Sequence, residues 1–188
     1  MKEIEILVEV FDDESKVLNQ LNQYEFVAIQ STIDTYYYDP LRKNLQPDET
    51  LKLFESFRLR KKNDQFFLTY KVDNYENGVW IYSDEEEIKI SDYDCAKKIL
   101  AHLGLKKLVE IDNQKHTFKT DKFEIVFEKV KDLGLFLEVE YVGKNQDEDV
   151  LKIKMDINKF ITSLGLEISS ELNSGKPELM LKKIGNVN

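Results

Sequence analysis

Residues 57–71 carry basic side chains in an alternating pattern that could bind a polyanion. This run reads FRLRKKNDQFFLTYK. Successive side chains of a β-strand point to opposite faces, so Arg58, Arg60 and Lys62 would share one face, with Lys71 on the return arm. Arg is favoured at phosphate sites because its planar guanidinium can contact two phosphate oxygens at once. The run therefore predicts a cationic strand face suited to a polyphosphate.

Acidic residues alternate in the same way elsewhere in the chain. Each E-x-E pair places both carboxylates on one side of its strand, and the members are Glu3 and Glu5, Glu85 and Glu87, and Glu138 and Glu140. Carboxylates are typical ligands of Mg²⁺ or Mn²⁺, with substrate phosphates completing the coordination. A single E-x-E pair is equally typical of a solvent-facing strand, and the cationic face of residues 57–71 could also lie in water. Both interpretations are open for each segment taken alone.

Several strand candidates thus combine one charged face with one apolar face. If the charged faces turn inward, they form a polar cavity that holds carboxylates together with guanidinium groups. Such a cavity would suit metal ions plus a polyanion.

The elements that would position these faces are mostly strands. Apolar alternation and turn residues predict strands at 3–11, 26–39, 105–112, 115–120, 122–130, 135–142 and 166–169, a hairpin turning at 63–64 and a strand pair within 79–90. Loops are predicted at 41–50 and 73–78. Apolar residues at helical spacing predict helices at 14–24, from 91 to a stop at Gly104, and across 153–164, with a short last helix starting near Pro177.

Length and charge narrow the class of protein. The 188 residues fit a single domain, and the net charge of −9 with a pI near 4.9 argues against a nucleic-acid-binding protein, which needs an exposed surplus of Lys and Arg. No apolar run is long enough to span a bilayer. The amino terminus carries alternating acids where a secretory signal would be apolar, so we expect a cytoplasmic protein. The lone Cys95 excludes an intramolecular disulfide.

The order of the motifs resembles a known family. The chain contains E-x-E at 3–5, DTYYYDP at 34–40, FRLRKKND at 57–64, LTYK at 68–71, YSDEEE at 82–87 and L-G-x-F-x-E-x-E at 133–140. Together these motifs resemble the CYTH superfamily, the triphosphate tunnel metalloenzymes, and the class IV adenylate cyclase branch most of all. The resemblance runs from Glu3 to about Glu140, and we treat residues 1–188 as one CYTH-like domain.

The resemblance implies both a fold and a site. The fold would be α+β, a closed antiparallel eight-stranded β tunnel or barrel with helices packed outside. The triphosphate would be held by Arg58, Arg60, Lys71 and Lys115. Mg²⁺ or Mn²⁺ would be bound by Glu3, Glu5, Glu138 and Glu140. Further tunnel carboxylates would be Glu85, Glu87 and Glu128.

The resemblance also implies an activity on a nucleoside, organic or inorganic triphosphate. The class IV cyclase reaction converts ATP to cyclic AMP and pyrophosphate, and the alternative is an inorganic or thiamine triphosphatase. The residues do not single out a catalytic base or nucleophile. No nucleic-acid or membrane partner is expected, and a homodimer is a further alternative.

Three positions depart from the family pattern. Leu7 stands where the family's opening signature has Lys, Asn113 stands where Lys is usual, and the aromatic residue of a carboxy-terminal S-Y motif is missing from SGKPELML at 174–181. Losing a charge-assisted contact at position 7 would cost about 1.5–3 kcal/mol of binding if nothing replaced it. A triphosphate-binding module with weakened catalysis is therefore another alternative, and a β-barrel without a ligand is a third.

Overall fold

The structure is a computed structural model that describes residues 2–143 and 149–185. Its strands are β1 Lys2–Glu3, β2 Glu5–Val10, β3 Glu25–Tyr38, β4 Glu55–Lys62, β5 Gln65–Glu76, β6 Val79–Ile90, β7 Lys106–Lys119, β8 Phe123–Val130 and β9 Gly134–Tyr141. Its α-helices are α1 Glu14–Leu21, α2 Tyr93–His102, α3 Val150–Ser163 and α4 Lys176–Gly185, and a single 3₁₀ turn covers Lys43–Leu45.

The strands form one antiparallel sheet that closes on itself through the amino-terminal strand. The order is β1-β6-β5-β4-β3-β7-β8-β9-β2, so the two end positions belong to β1 and β2. Only Ile4 separates β1 from β2, and Glu3 pairs with Ser83 while Glu5 pairs with Glu140. The predicted closed barrel is confirmed, and its eight strands become nine because the first one is interrupted at Ile4. Closure leaves few unpaired backbone groups at sheet edges.

Two helices cover one side of the outer barrel surface. The strand side chains that point outward from β2, β8 and β9, among them Ile6, Phe127 and Val139, are almost completely buried. They pack against Val17 of α1 and Ile157 of α3, which belong to the same apolar cluster. Apolar residues recur at every second position of these strands and at every third or fourth position of the helices, so each element presents one apolar face to the other. The outward-facing apolar side chains of these strands, together with α1 and α3, therefore form the main core of the protein.

Helix α2 covers another part of the barrel wall. Ala96 and Leu100 of α2 pack on Tyr37 and Leu59 in a separate cluster. Asp92 caps α2 by accepting a hydrogen bond from the backbone N–H of Cys95. Helices α1, α2 and α3 therefore pack outside the barrel, as the resemblance implies.

The last helix closes the apolar end of the barrel interior. Met180 of α4 clusters with Leu7, Tyr36 and Ile111, and these three strand residues also line the central cavity. Pro177 is the second residue of α4, close to the predicted helix start. The first turn of α4 thereby reaches the cavity, which no periodicity in the sequence indicated.

Several predicted boundaries are wrong in instructive ways. The predicted loop at 73–78 is largely strand, since β5 continues to Glu76 and a tight turn at Asn77 and Gly78 follows, both with positive φ. Residues 79–90 consequently form one long strand and not a strand pair. The predicted strands 105–112 and 115–120 are one strand, and the strand predicted at 166–169 is reduced to a bridge between Val10 and Ile168. The first helix ends at Leu21, earlier than predicted.

Glu178 fastens α4 to the rest of the barrel. Its carboxylate accepts hydrogen bonds from the backbone N–H groups of Leu53, at 2.7 Å, and of Gly175. The side chain is only 2% exposed. Burial raises the pKa of Glu178 to about 7, although both N–H groups favour the charged form.

We expect Glu178→Gln to change how stability depends on pH. A carboxyl whose pKa is raised in the folded state contributes stability that is fully present below its usual pKa and is lost as the pH rises through the folded value. Between pH 4.5 and 8 the wild-type chain should lose up to about 3 kcal/mol of unfolding free energy relative to the variant. Urea unfolding at several pH values measures this difference. Parallel pH profiles for the two proteins would contradict the assignment.

Candidate active site

The inward-facing residues of the strands enclose a polar cavity of about 210 Å³. Among the described residues that line it there are ten carboxyl groups and six basic groups. The basic groups are Arg58, Arg60, Lys62, Lys71, Lys115 and Lys176. The charged faces seen in the sequence therefore do turn inward, and the interpretation that places them in open water is wrong for these strands.

Arg60 is held on the cavity wall by a two-point contact. Its Nε donates a 2.7 Å hydrogen bond to one carboxylate oxygen of Asp34, and one terminal nitrogen donates a 2.7 Å hydrogen bond to the other. Burial would raise the pKa of Asp34, but the charge and hydrogen bonds of Arg60 outweigh it, so the pKa lies well below its usual range. The adjacent strands β3 and β4 bring the two residues together, since Asp34 pairs with Arg60 in the register. Asp34 therefore fixes the guanidinium in one orientation.

Arg58 lies beside Arg60 on the same face with looser partners. A terminal nitrogen of its guanidinium is 3.5 Å from Glu85 and 3.8 Å from Glu87. Its buried Nε has no hydrogen-bond partner among the described residues. A buried donor without a partner is costly, so this atom is suited to receive an oxygen of a bound anion.

Lys71 joins the two ends of the closed sheet from inside. Its ammonium lies 2.5 Å from a Glu3 oxygen and 2.9 Å from a Glu5 oxygen. Burial would lower the pKa of Lys71, but Glu5 and Glu3 raise it well above the usual value. One cation thus serves two carboxylates on β1 and β2.

The acidic side of the cavity is crowded. Burial, followed by the charges of Glu3 and Glu5, raises the pKa of Glu140 to about 9. Burial and the charge of Glu3 likewise raise the pKa of Glu5 to about 8, and burial with Glu138 raises the pKa of Glu124. Five carboxyl groups repel one another at this wall, which makes a positively charged ligand favourable there.

A second acidic pair is held by two lysines. Glu128 is completely buried, and one of its carboxylate oxygens lies 3.4 Å from the Lys115 ammonium and 2.5 Å from that of Lys176. Lys176 also lies 2.5 Å from Glu138. Burial would raise the pKa of Glu138, but the charges of Lys176 and Lys115 lower it well below the usual range.

Asn113, which departs from the family pattern, has a structural contact here. Its side-chain N–H₂ donates a 2.7 Å hydrogen bond to Glu128, and its carbonyl oxygen accepts from the Thr32 hydroxyl. An amide can donate and accept at once, whereas a lysine at this position could only donate.

The carboxylates have the chemistry of a divalent-metal site. Hard oxygen ligands suit Mg²⁺ and Mn²⁺. Burial, together with the neighbouring carboxylates, raises the pKa of Glu5 to about 8 and that of Glu140 to about 9, so a bound cation would favour the charged form of both groups. Within residues 2–143 and 149–185, no three acidic, His or Cys side chains already converge as a metal-binding group. Lys71 and Lys176 pair instead with three of the expected ligands, Glu3, Glu5 and Glu138. The donor set therefore fits a divalent cation that would compete with these ammonium groups.

The structure places the residues that the sequence singled out around one cavity, except that Glu128 lies behind the cavity lining. The four predicted basic residues and the carboxylates of β1, β2, β6 and β9 all line the cavity. Sequence reasoning missed Asp34, Glu124 and Lys176. Alternation on β3 and β8 could have indicated the first two, because Asp34 lies two residues from Thr32 and Glu124 lies four from Glu128. The position of Lys176 had no such signal.

No helix in the described part of the chain has the length and apolar character needed to cross a membrane.

Comparisons with known proteins agree with this architecture. A family model described as the CYTH domain matches residues 1–173. The chain is 31% identical over 163 residues to "Putative adenylate cyclase MJ0240" of Methanocaldococcus jannaschii, covering 85% of this chain and 89% of that protein.

Solved structures share the fold at lower identity. The PH1819 protein of Pyrococcus horikoshii is 24% identical, with a TM-score of 0.76 over 95% of this chain and 99% of that one. HpAC1 from Hippeastrum, described as a "Putative adenylyl cyclase" that reveals a dominant triphosphatase activity, is 13% identical, with a TM-score of 0.68 over 96% of both chains. The barrel, its inward charges and the match over residues 1–173 together show that this chain belongs to the CYTH domain family.

Proposed function

We propose that the chain is a divalent-metal-dependent enzyme that acts on a triphosphate. The class IV adenylate cyclase reaction, ATP to cyclic AMP and pyrophosphate, is the first candidate. The observation that supports it is the meeting of Arg58, Arg60, Lys71 and Lys115 with a crowded acidic wall inside one cavity. The sequence relationship to the Methanocaldococcus protein points to the same reaction.

The basic residues would bind and orient the phosphates. Arg60 is fixed by Asp34, so it can present its remaining N–H groups without losing further side-chain freedom. Arg58 contributes the buried Nε for which the described residues offer no acceptor. Lys71 and Lys115 supply point charges from neighbouring parts of the wall. Such groups stabilise charge that develops on transferring phosphoryl oxygens.

Glu3, Glu5, Glu138 and Glu140 would hold the metal ion. A bound Mg²⁺ or Mn²⁺ would neutralise phosphate charge and orient the triphosphate for attack. Glu5 is buried and the other three carboxylates are partly buried, so contact with bulk water would weaken that interaction less than at an open surface, because charges interact more strongly at low dielectric.

The second candidate is a triphosphatase, in which water replaces the ribose 3′-hydroxyl as the nucleophile. It is favoured by the cavity lining, where charged side chains dominate and Tyr36 and Trp80 are the aromatic residues among those described. A wall of this kind recognises phosphates more strongly than a nucleobase. The description of HpAC1, which shares the fold, also names a triphosphatase activity, and this supports testing the chain for both reactions.

A substrate comparison tests the proposed function. Purified chain should be incubated with ATP, tripolyphosphate or thiamine triphosphate, each with Mg²⁺, with Mn²⁺ or with EDTA. We expect metal-dependent formation of cyclic AMP and pyrophosphate from ATP, and phosphate release in place of it if the second candidate is correct. Tight binding without turnover of any substrate would contradict both enzymatic candidates and favour a binding module.

Arg58→Ala should weaken tripolyphosphate binding. Hydrogen bonds to charged groups contribute about 1.5–3 kcal/mol, so we expect the Kd to rise about 10- to 100-fold. Isothermal titration calorimetry in Mg²⁺ measures the change. Lys61→Ala is the matched control, because Lys61 is a basic residue on the same strand whose side chain is exposed. Equal affinities for the two variants would remove Arg58 from the binding site.

Glu140→Gln should reduce stabilisation by metal. A ligand that binds only the folded state stabilises it by RT ln(1 + [L]/Kd), so the thermal midpoint rises with the ratio of ligand concentration to Kd. We expect Mg²⁺ or Mn²⁺ to raise the Tm of the wild-type chain, and the variant to need at least about tenfold more metal for the same shift. Differential scanning fluorimetry with Glu25→Gln as control measures this, since Glu25 pairs with Lys119 on the exposed outer surface. A wild-type-like response of Glu140→Gln would argue against a metal site at this wall.

A further inference from the structure

The first residues of β3 form an edge of the sheet at one end of the barrel. β7 pairs with β3 along the whole length of β3. On the other side, β4 pairs only with Thr32–Tyr37, because the β4–β5 hairpin turns at Asn63 and Asp64. No strand in the described part of the chain flanks residues 25–30 on that side. We call this segment the β3 edge.

Backbone hydrogen-bonding groups of the β3 edge point away from β7. The Asn63 N–H donates a 3.1 Å hydrogen bond to the Ser31 carbonyl, and the Ser31 N–H donates a 3.1 Å hydrogen bond to the Asn63 side chain. Both backbone groups of Ser31 thus point to the β4 side. Every second residue of an antiparallel strand directs its N–H and C=O to the same side, so those of Ile29 point there as well. Groups of this kind pair readily with another strand.

The side chains of the β3 edge are apolar and exposed. Phe26 is 54% exposed, Val27 is 48% exposed and Ile29 is 53% exposed. Phe26 is held in place by an edge-on contact with the Phe118 ring of β7, at 5.7 Å between ring centroids. An apolar strand edge that is open to water is a surface that another chain can cover favourably.

A second edge of the same sheet is protected by charge. β1 lies beside only Ser83 and Asp84 of β6, and beyond them no described strand flanks residues 85–90 on that side. These residues read EEEIKI, and such a density of charge disfavours the addition of a strand. The β3 edge has one charged residue, Glu25, and it forms a 2.9 Å ion pair with Lys119. Of these two edges, the β3 edge is therefore the one suited to strand addition.

We propose that the β3 edge pairs antiparallel with the β3 edge of a second copy of this chain, across a two-fold axis. Such an axis places the same segment of both copies face to face, so each strand supplies the backbone partners that the other lacks. The exposed apolar side chains of both copies then cover one another. The two sheets join into one through β7 and β3 of each copy.

The chemistry of the β3 edge favours a second copy as its partner. The partner must offer a short extended apolar segment with backbone groups open on one side, and the β3 edge itself meets this requirement. Each chain has a net charge of −9, so two copies repel each other over most of their surface. This repulsion is weakest where the acidic group is already paired, as Glu25 is with Lys119.

The proposed interface does not use the cavity lining. Gln30 and Thr32 of the same strand line the cavity, whereas Ile29 points to the outer surface because successive side chains alternate. A second copy at the β3 edge would therefore leave the candidate active site of each chain complete. The inference goes beyond the proposed function and does not depend on it.

Sedimentation equilibrium of the full chain tests the inference. Over about 1–100 μM we expect the wild-type chain to form a species of twice the 22.2 kDa chain mass. Added NaCl should tighten this dimer, because salt screens the repulsion between two acidic chains. Ile29→Lys places like charges at the interface and should raise the dimer Kd at least about 100-fold.

Ile88→Lys is the matched control for Ile29→Lys. Ile88 is an exposed strand residue on the charged edge of β6, and its variant should keep the dimer Kd within about twofold of wild type. Ile29→Pro tests the backbone pairing, since proline removes the N–H that points to the edge and is tolerated on edge strands. We expect a folded monomer, with the circular dichroism spectrum of the wild-type chain.

Several outcomes would overturn the inference. A wild-type chain that stays monomeric at every protein and salt concentration has no such interface. A dimer that Ile29→Lys leaves intact, or that Ile88→Lys dissociates equally, has its interface elsewhere. A dimer that a folded Ile29→Pro variant retains does not pair through this backbone. Failure of the chain to bind any triphosphate would overturn the proposed function and leave this inference standing.

Discussion

The balance of charge inside a closed barrel is the constraint on which the rest of the structure depends. A buried ionised group is tolerated only when a partner of opposite charge and sufficient hydrogen bonds compensate for lost hydration. Here Asp34 compensates Arg60, and Glu3 and Glu5 share Lys71. Carboxyl groups still outnumber basic groups, so the acidic wall holds some of its protons, as the pKa of about 9 at Glu140 indicates. The cavity is organised to receive positive charge on one wall and negative charge on the other.

The barrel makes this balance possible because closure brings distant segments together. β1 and β2 pair with β6 and β9 on either side of Ile4, so carboxylates from the amino terminus face Lys71 and lie beside Glu140. The outward residues of the same strands form the apolar core with α1 and α3. One alternating pattern thus serves both purposes, since neighbouring residues on a strand point in opposite directions. A one-residue slip in register would bury charges in the core and expose apolar groups to the cavity.

The carboxy-terminal helix adds a feature that links packing to charge. Apolar residues at one end of the interior, including Leu7, receive Met180, and this seat carries Lys176 to the acidic wall. In the structure, the apolar Leu7 packs against Met180 of α4, and the first residue of that helix, Lys176, places its ammonium at the acidic wall. Departures from a family pattern are therefore best interpreted together with the residues that occupy the same space.

Much of the fold followed from the sequence, because strand alternation is a local property. The inward placement of Arg58, Arg60 and the E-x-E pairs came from their order along the chain, and the closed antiparallel barrel with outer helices is confirmed. The sequence did not determine where strands continue through turns, as at Asn77 and Gly78, since neighbouring-strand pairing decides this. Nor did it place Lys176, because a side chain from the tail reaches Glu138 only after the barrel has closed and α4 has packed. Local periodicity specified the faces, whereas long-range packing decided which charges meet.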